Sequence, residues 1–168
     1  MLIREYRSAD HLSVRQIFTN GQLGFAIGEP FESEVRAYIK KSLSLDLSDI
    51  PAHYMVHPGS NFWVAEIAGE VKGMVAIQHK DKDAAELRRM SVSSDTRRQG
   101  IGKLLLNAVD QFCLKFGYNS IFLSTVSHLI AAKAMYEGNG YRLTNHEHYG
   151  LLTVEHYVKT LGPTRFNC

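Results

Sequence analysis

The sequence predicts an α/β (α+β) fold, a mixed central sheet of about seven strands flanked by about four helices. Three observations lead there. Between residues 61 and 92, three segments alternate apolar and polar residues, the period of a half-buried strand, with only short polar turns between them. Ile101, Leu105, Ala108, Val109, Phe112 and Phe116 recur at helical spacing, opposite Lys103, Asn107, Asp110 and Gln111. That helix stands between two strand-like runs, 86–92 and 120–126, an order that implies a parallel, right-handed crossover.

Taken in order, residues 2–7 alternate, Leu2, Arg4 and Tyr6 against Ile3, Glu5 and Arg7, and read as the first strand. Ser8 caps a helix with His11 at the capping-box position, and Leu12, Ile17 and Phe18 supply part of its apolar face. Gly21, Gly24 and Gly28 interrupt the pattern, so 19–29 reads as a loop. A second helix starts near Phe31, behind Pro30, with Val35, Tyr38, Ile39 and Leu43 on one side, and ends before Pro51. Residues 46–60 read as irregular backbone. Polar loop residues near a substrate mouth are preferred there to a metal site built from His53, His57 and an aspartate, and no metal is expected. The strands at 61–68, 71–79 and 86–92 form an antiparallel meander with the first strand beside it. Gly117 closes the helix that follows. Ala131, Ala132, Ala134 and Met135 mark the last helix, closed by Gly138 and Gly140, and 141–148 with 152–161 make a final hairpin around Gly150. The chain reads as one domain, 1–161, with a tail at 162–168.

Composition narrows the function. An apolar share of 45% and a charged share of 21% are those of a soluble globular protein. A formal charge of +2 is too small to imply a nucleic-acid partner, and Arg88, Arg89, Arg97 and Arg98 come without the aromatic residues that stack bases. Cys113 and Cys168 do not make a disulfide framework, which points to a reducing compartment. No apolar run reaches the ~18 residues of a membrane span, and the N-terminus has no signal-peptide core. The expectation is a cytoplasmic protein with no membrane partner.

The informative stretch is Glu86 to Lys115, a strand, a basic Gly-containing loop and a helix start. A helix N-terminus offers free N–H groups and partial positive charge to an anion. Gly100 and Gly102 remove side chains where phosphates would approach the backbone, and Arg97, Arg98 and Lys103 add formal charge. A P-loop would need glycine at Arg97 and Ser or Thr at Leu104, and a dinucleotide fingerprint would need glycine at Leu105. What remains is Arg97-Arg98-Gln99-Gly100-Ile101-Gly102.

That segment resembles the Arg/Gln-x-x-Gly-x-Gly/Ala motif of the GNAT superfamily of N-acetyltransferases. The run from Ala132 to Tyr141, 35 residues beyond Arg97, resembles that family's Ala-x-x-x-Tyr-Glu-x-x-Gly-Phe/Tyr segment. The strand at Phe62-Trp63-Val64-Ala65-Glu66 and the long insert at 21–60 are similar to the camello-type branch, which acetylates small amino-acid substrates. The branch usually carries an apolar N-terminal segment that this sequence does not show.

The resemblance implies acetyl-CoA as co-substrate, bound by Met90, Ser91 and Val92 along its pantetheine arm and by Arg97, Arg98, Gln99, Gly100, Ile101, Gly102 and Lys103 at its pyrophosphate. It implies that the Met90 N–H faces the thioester oxygen. Tyr136 is the implied general acid toward the leaving thiolate. Glu86, fourteen residues before Gly100, is the candidate base, acting through a water. Period-two alternation puts it on one strand face with Met90 and Val92. His79 is the competing base, and His11, His146, His148 and His156 read as structural, although the 146–156 hairpin could line the acceptor site. Many family members have Asn where this chain has Leu129, and Ser127 or His128 are the available substitutes. The expected partner is a small-molecule or peptide amine. A homodimer through the last strand and a non-catalytic acyl-CoA-binding role are the alternatives left open.

Overall fold

In the computed structural model, which describes residues 1–162, the chain runs β1 (Leu2–Glu5), α1 (His11–Ala26), α2 (Glu32–Ser44), β2 (Asn61–Ile67), β3 (Glu70–His79), β4 (Ala84–Val92), α3 (Ile101–Phe116), β5 (Ser120–Val126), α4 (Ile130–Gly138), β6 (Arg142–Tyr149) and β7 (Leu152–Thr160). Except for Gly162, the tail expected at 162–168 lies outside the described residues. The strands make one seven-stranded sheet in the order β1-β2-β3-β4-β5-β7-β6. The expected meander is there, with β1 to β4 successively antiparallel. The crossover through α3 makes β4 and β5 the sheet's parallel pair, as a strand–helix–strand unit requires.

Each sheet face carries its own core. On one, α3 buries Ile101, Leu105, Leu106, Val109 and Cys113 against Trp63, Ala65, Val75, Ile77, Ala85 and Leu87. On the other, Val14, Ile17, Phe18 and Ala26 of α1 and Val35 and Ile39 of α2 cover Phe62, Val64, Met74 and Ala76. Such two-sided cover is what strands as continuously apolar as Phe62 to Ala65 demand.

The N-terminal region differs from the sequence reading in two places. The N-cap position of α1 falls at Asp10, not Ser8, and makes no side-chain cap bond: residues 8–10 form a 3₁₀ turn, and the Asp10 carboxylate is turned back to accept from the Arg7 N–H at 2.8 Å and from Arg4 at 2.8 and 2.9 Å. And α1 does not break at its glycines but runs to Ala26. A Cβ at Gly21 would stand 2.6 Å from Ser91 Oγ. The glycine is therefore a contact residue that lets α1 lie against β4, and the packing of four buried side chains offsets the roughly 1 kcal/mol that a mid-helix glycine costs. Residues 46–60 are irregular as expected, apart from a π-helical turn at Pro51–Met55.

Candidate active site

Two distortions of β4 make the site. The first is a separation. β4 and β5 pair only from Ala84 with Ser120 to Glu86 with Phe122. Beyond that vertex the strands part, and the β5-facing backbone edge of residues 87–92 has no strand beside it. The second is a bulge. Met74 faces Ser91 and Ala76 faces Arg88, so two steps on β3 are matched by three on β4. Arg89 sits in the bulge at φ 57°, a left-handed conformation that a residue of its size rarely adopts.

A buried ion pair holds this bulge. The Arg89 guanidinium donates to both Asp46 oxygens, from Nε at 2.7 Å and from Nη2 at 2.6 Å. Its remaining Nη1 donates to Tyr38 and Ser42 at 2.9 and 3.1 Å, and Phe18 and Tyr38 stack against it. Tyr54 donates a further short bond to Asp46. Burial pushes the Asp46 carboxyl up, but the bonds from Arg89 and Tyr54 outweigh it and hold the group below the usual carboxylate range. Arg89 is thus committed to the interior and is not part of a surface basic patch.

The bulge also corrects the face assigned to Glu86. One inserted residue inverts the alternation of every side chain beyond it. Ala85 and Leu87 pack on the α3 side, and so, past the bulge, do Met90 and Val92. Glu86 lies on the opposite face, paired with Gln78 and Phe122 at the vertex. His79 is also remote. It ends β3 among residues of the other strand end, its Nδ1 2.8 Å from the Tyr118 hydroxyl and its ring stacked on His57. His57 in turn accepts from the Gly59 N–H.

After β4, Ser94–Thr96 form a 3₁₀ turn braced by Asp95, which takes bonds from Ser93 at 2.6 Å and Lys72 at 3.0 Å. Arg98 at φ 62° and Gly100 at φ 79° then turn the chain into α3. Leu104 is the residue that bonds back to the Gly100 carbonyl, at 3.1 Å, so the amides of residues 101–103 point out of the helix end. At Gly102 a Cβ would stand 2.5 Å from Met135 Sδ and 3.4 Å from Met90 Cε. This glycine therefore lets α3 approach α4 and β4.

A cavity of about 850 Å³ joins these parts. Met90, Ser91, Val92, Arg97, Arg98, Gly100, Ile101, Gly102, Lys103 and Tyr136 all line it. Of the residues expected around the cofactor, Gln99 is exposed and outside the lining, and Glu86 is outside it on the other face. Sequence reasoning missed Gly21 and Gln22 of α1, Ser94 and Thr96, and the stretch from Ile130 to Ala132. The small residues of α4 were a usable signal for close approach; nothing local marked Gly21 or Gln22.

Tyr136 is buried, with its ring edge-on to Tyr141 at 5.8 Å, and burial pushes its phenol up. It therefore stays protonated through the neutral range as a hydrogen-bond donor facing the cavity. Leu129 is the N-cap of α4 and makes no side-chain cap bond. His128 lines the cavity with its ring tilted against Phe31, the centroids 4.4 Å apart, while Ser127 gives its N–H to the Thr153 carbonyl. No helix among the described residues is long and apolar enough to cross a membrane.

Comparison with known proteins bears on this arrangement. Residues 28–141 match the model of the acetyltransferase (GNAT) family. The chain is 40% identical over 125 residues to human N-acetylaspartate synthetase, covering 74% of this chain and 39% of that protein. It is 36% identical over 136 residues to N-acetyltransferase 8 of Rattus norvegicus, covering 78% of this chain and 60% of that one. The chain thus spans about two-fifths to three-fifths of the length of these relatives. The PaiA N-acetyltransferase of Thermoplasma acidophilum, solved in complex with coenzyme A, has the same fold, with a TM-score of 0.78 at 17% identity over 95% of this chain and 98% of that one. The sequence motifs, the parted β4 and β5 and these matches agree: the chain belongs to the GNAT family of acetyltransferases.

Proposed function

We propose that the chain is an acetyl-CoA-dependent N-acetyltransferase that moves an acetyl group to the primary amine of a small molecule, amino acid or peptide, by direct attack in a ternary complex. The observation that carries this is the cavity itself, which runs from the α3 N-terminus to Tyr136 along an unpaired strand edge. The coenzyme A bound to the PaiA relative supports the donor, and the name N-acetylaspartate synthetase supports an amino acid as acceptor.

In this reading the pyrophosphate docks on the amides of residues 101–103, with Arg97, Arg98 and Lys103 neutralising its charge and Gln99 at the loop's exposed edge. The pantetheine arm lies along residues 90–92 as an added strand, with Ser91 between Met90 and Val92. The Met90 N–H serves as donor to the oxyanion that forms at the thioester, an interaction whose loss typically costs about 10²–10³ in rate. Tyr136 donates to the departing thiolate. Because burial pushes its phenol upward, it stabilises the thiolate by a hydrogen bond more readily than by giving its proton outright. Glu86, at the vertex on the opposite face, meets the acceptor's amine there as a carboxylate base acting through water or as its counter-charge. The buried free Cys113 suits a reducing compartment, the cytoplasm in this account.

The test is release of free CoA from acetyl-CoA by the purified protein, screened against free amino acids, polyamines and short peptides. Amine-dependent release with amino acids is the expected result. Acetyl-CoA binding without release for any amine would leave only a binding module.

A further inference from the structure

Helices α1 and α2 cover only part of their sheet face. The buried apolar sheet residues beneath them come from β2 and β3, bordered by Arg89 and Ser91 of β4 and Leu152 of β7, while on the same face Ser124 is exposed, as is every residue of β6. Across this open area three neighbouring strands carry one hydrogen-bonded chain. Ser124 Oγ on β5 lies 2.8 Å from His156 Nδ1 on β7. His156 Nε2 lies 3.2 Å from Glu147 Oε2 on β6, and the Tyr149 hydroxyl donates to that same oxygen at 2.7 Å. Register produces the alignment. Ser124 sits directly opposite His156, and an irregularity between Leu143 and Asn145 sets Asn145 opposite His156, which puts Glu147 on the serine's face.

The chemistry of the chain has a direction. A carboxylate only accepts, so the bond to Glu147 requires the proton of a neutral His156 on Nε2. Nδ1 is then a lone pair, and it accepts the Ser124 O–H. Tyr149 and His156 together hold the Glu147 carboxyl below its ordinary range, which keeps it ionised beside the ring. The result is a serine hydroxyl aimed at an oriented imidazole that is backed by a carboxylate. It also stands near the strand vertex, where the acceptor's amine is placed. Ser124 is two residues past Phe122, about 7 Å from the vertex at 3.3 Å per residue, on the part of β5 that has left β4. A thioester held between the parted strands is open to an amine arriving over this face.

We infer that Ser124, His156 and Glu147 form a proton relay that deprotonates the acceptor amine, with Ser124 touching the amine and His156 and Glu147 positioned behind it. The inference rests on the acetyltransferase reading. As the amine nitrogen bonds to the thioester carbon, the proton it sheds passes to Ser124 Oγ while the serine's own proton passes to His156 Nδ1. The imidazolium is stabilised by Glu147 and returns its proton to solvent at its exposed edge. The C–S bond breaks, and the CoA thiolate takes up one proton through Tyr136 and solvent, so protons balance. Glu86 holds the incoming ammonium at the vertex, where it gives one proton to water and becomes the neutral amine before it attacks.

The experiment measures CoA release with the best acceptor of the screen for the wild type, Ser124→Ala, Ser124→Thr, His156→Ala and Glu86→Gln. Ser124→Ala and His156→Ala should each lower kcat by about 10²-fold or more. Ser124→Thr should keep kcat within about threefold, and Glu86→Gln should act mainly on KM. Added imidazole should restore His156→Ala at least about tenfold and leave Ser124→Ala unchanged. A wild-type kcat in His156→Ala, or a loss that imidazole does not touch, overturns the relay while amine-dependent activity of the wild type stands. A wild type that binds acetyl-CoA and acetylates nothing refutes the activity itself, a separate reading of the same assay.

Discussion

Replacing Tyr136 with phenylalanine should lower kcat by about 10²-fold and leave acetyl-CoA affinity within about twofold. The asymmetry follows from where the atoms are. The ring packs edge-on to Tyr141 and lines the cavity wall, and phenylalanine keeps both contacts. Only the hydroxyl is lost, and the account gives it work only when the thiolate departs. Single-turnover kinetics alongside a binding titration separate the two quantities. A turnover equal to wild type would remove Tyr136 from the chemistry, and a loss of affinity without loss of turnover would make it a packing residue.

The second large effect is on stability. Asp46→Ala leaves the Arg89 guanidinium buried at 4% side-chain exposure without its counter-charge, and losing one partner of such a pair costs about 3–5 kcal/mol. Urea unfolding should show that loss, and the paired change Asp46→Leu with Arg89→Met should recover most of it, because no charge is then left in the core. The pH dependence has a definite sign. Asp46 is held below its unfolded value, so its contribution is fully present above about pH 4, where unfolded aspartate titrates, and is lost as pH falls through the lower folded value. The acid limb of the wild-type stability curve should therefore be steeper than that of the Leu/Met pair. Equal limbs would mean that the ion pair does not fix the bulge.

These two predictions fall on opposite sides of what the sequence could tell. The strands, α3 and the loop at 97–103 were legible because each is encoded locally, by alternation, by helical spacing or by glycines at a helix start. Tyr136 was legible only through the family's Ala-to-Tyr segment. The bulge was not, because its cause is a carboxylate 43 residues upstream. Period-two counting assumes an unbroken strand, and so it placed Glu86 on the wrong face. The full length of α1 was hidden for a related reason. Gly21 reads locally as a helix breaker, and only the nearness of Ser91 makes it a contact residue. The hydrogen-bonded chain across β5, β7 and β6 was equally invisible, since His156 gains its meaning from neighbours on two other strands.

The central claim is that the diphosphate end of acetyl-CoA docks against the amides at 101–103 while its thioester lies along 90–92. Isothermal titration of acetyl-CoA into the wild type and into Gly100→Glu tests it most directly. Gly100 holds φ 79° at the helix start with open space around its Cβ position, so a glutamate there puts a strained backbone and a negative charge at the phosphate site. The account predicts measurable saturable heat for the wild type and at least about a tenfold weaker Kd for the variant, as loss of about 1.4 kcal/mol requires. Equal affinities in two folded proteins, or no binding by the wild type, would contradict it.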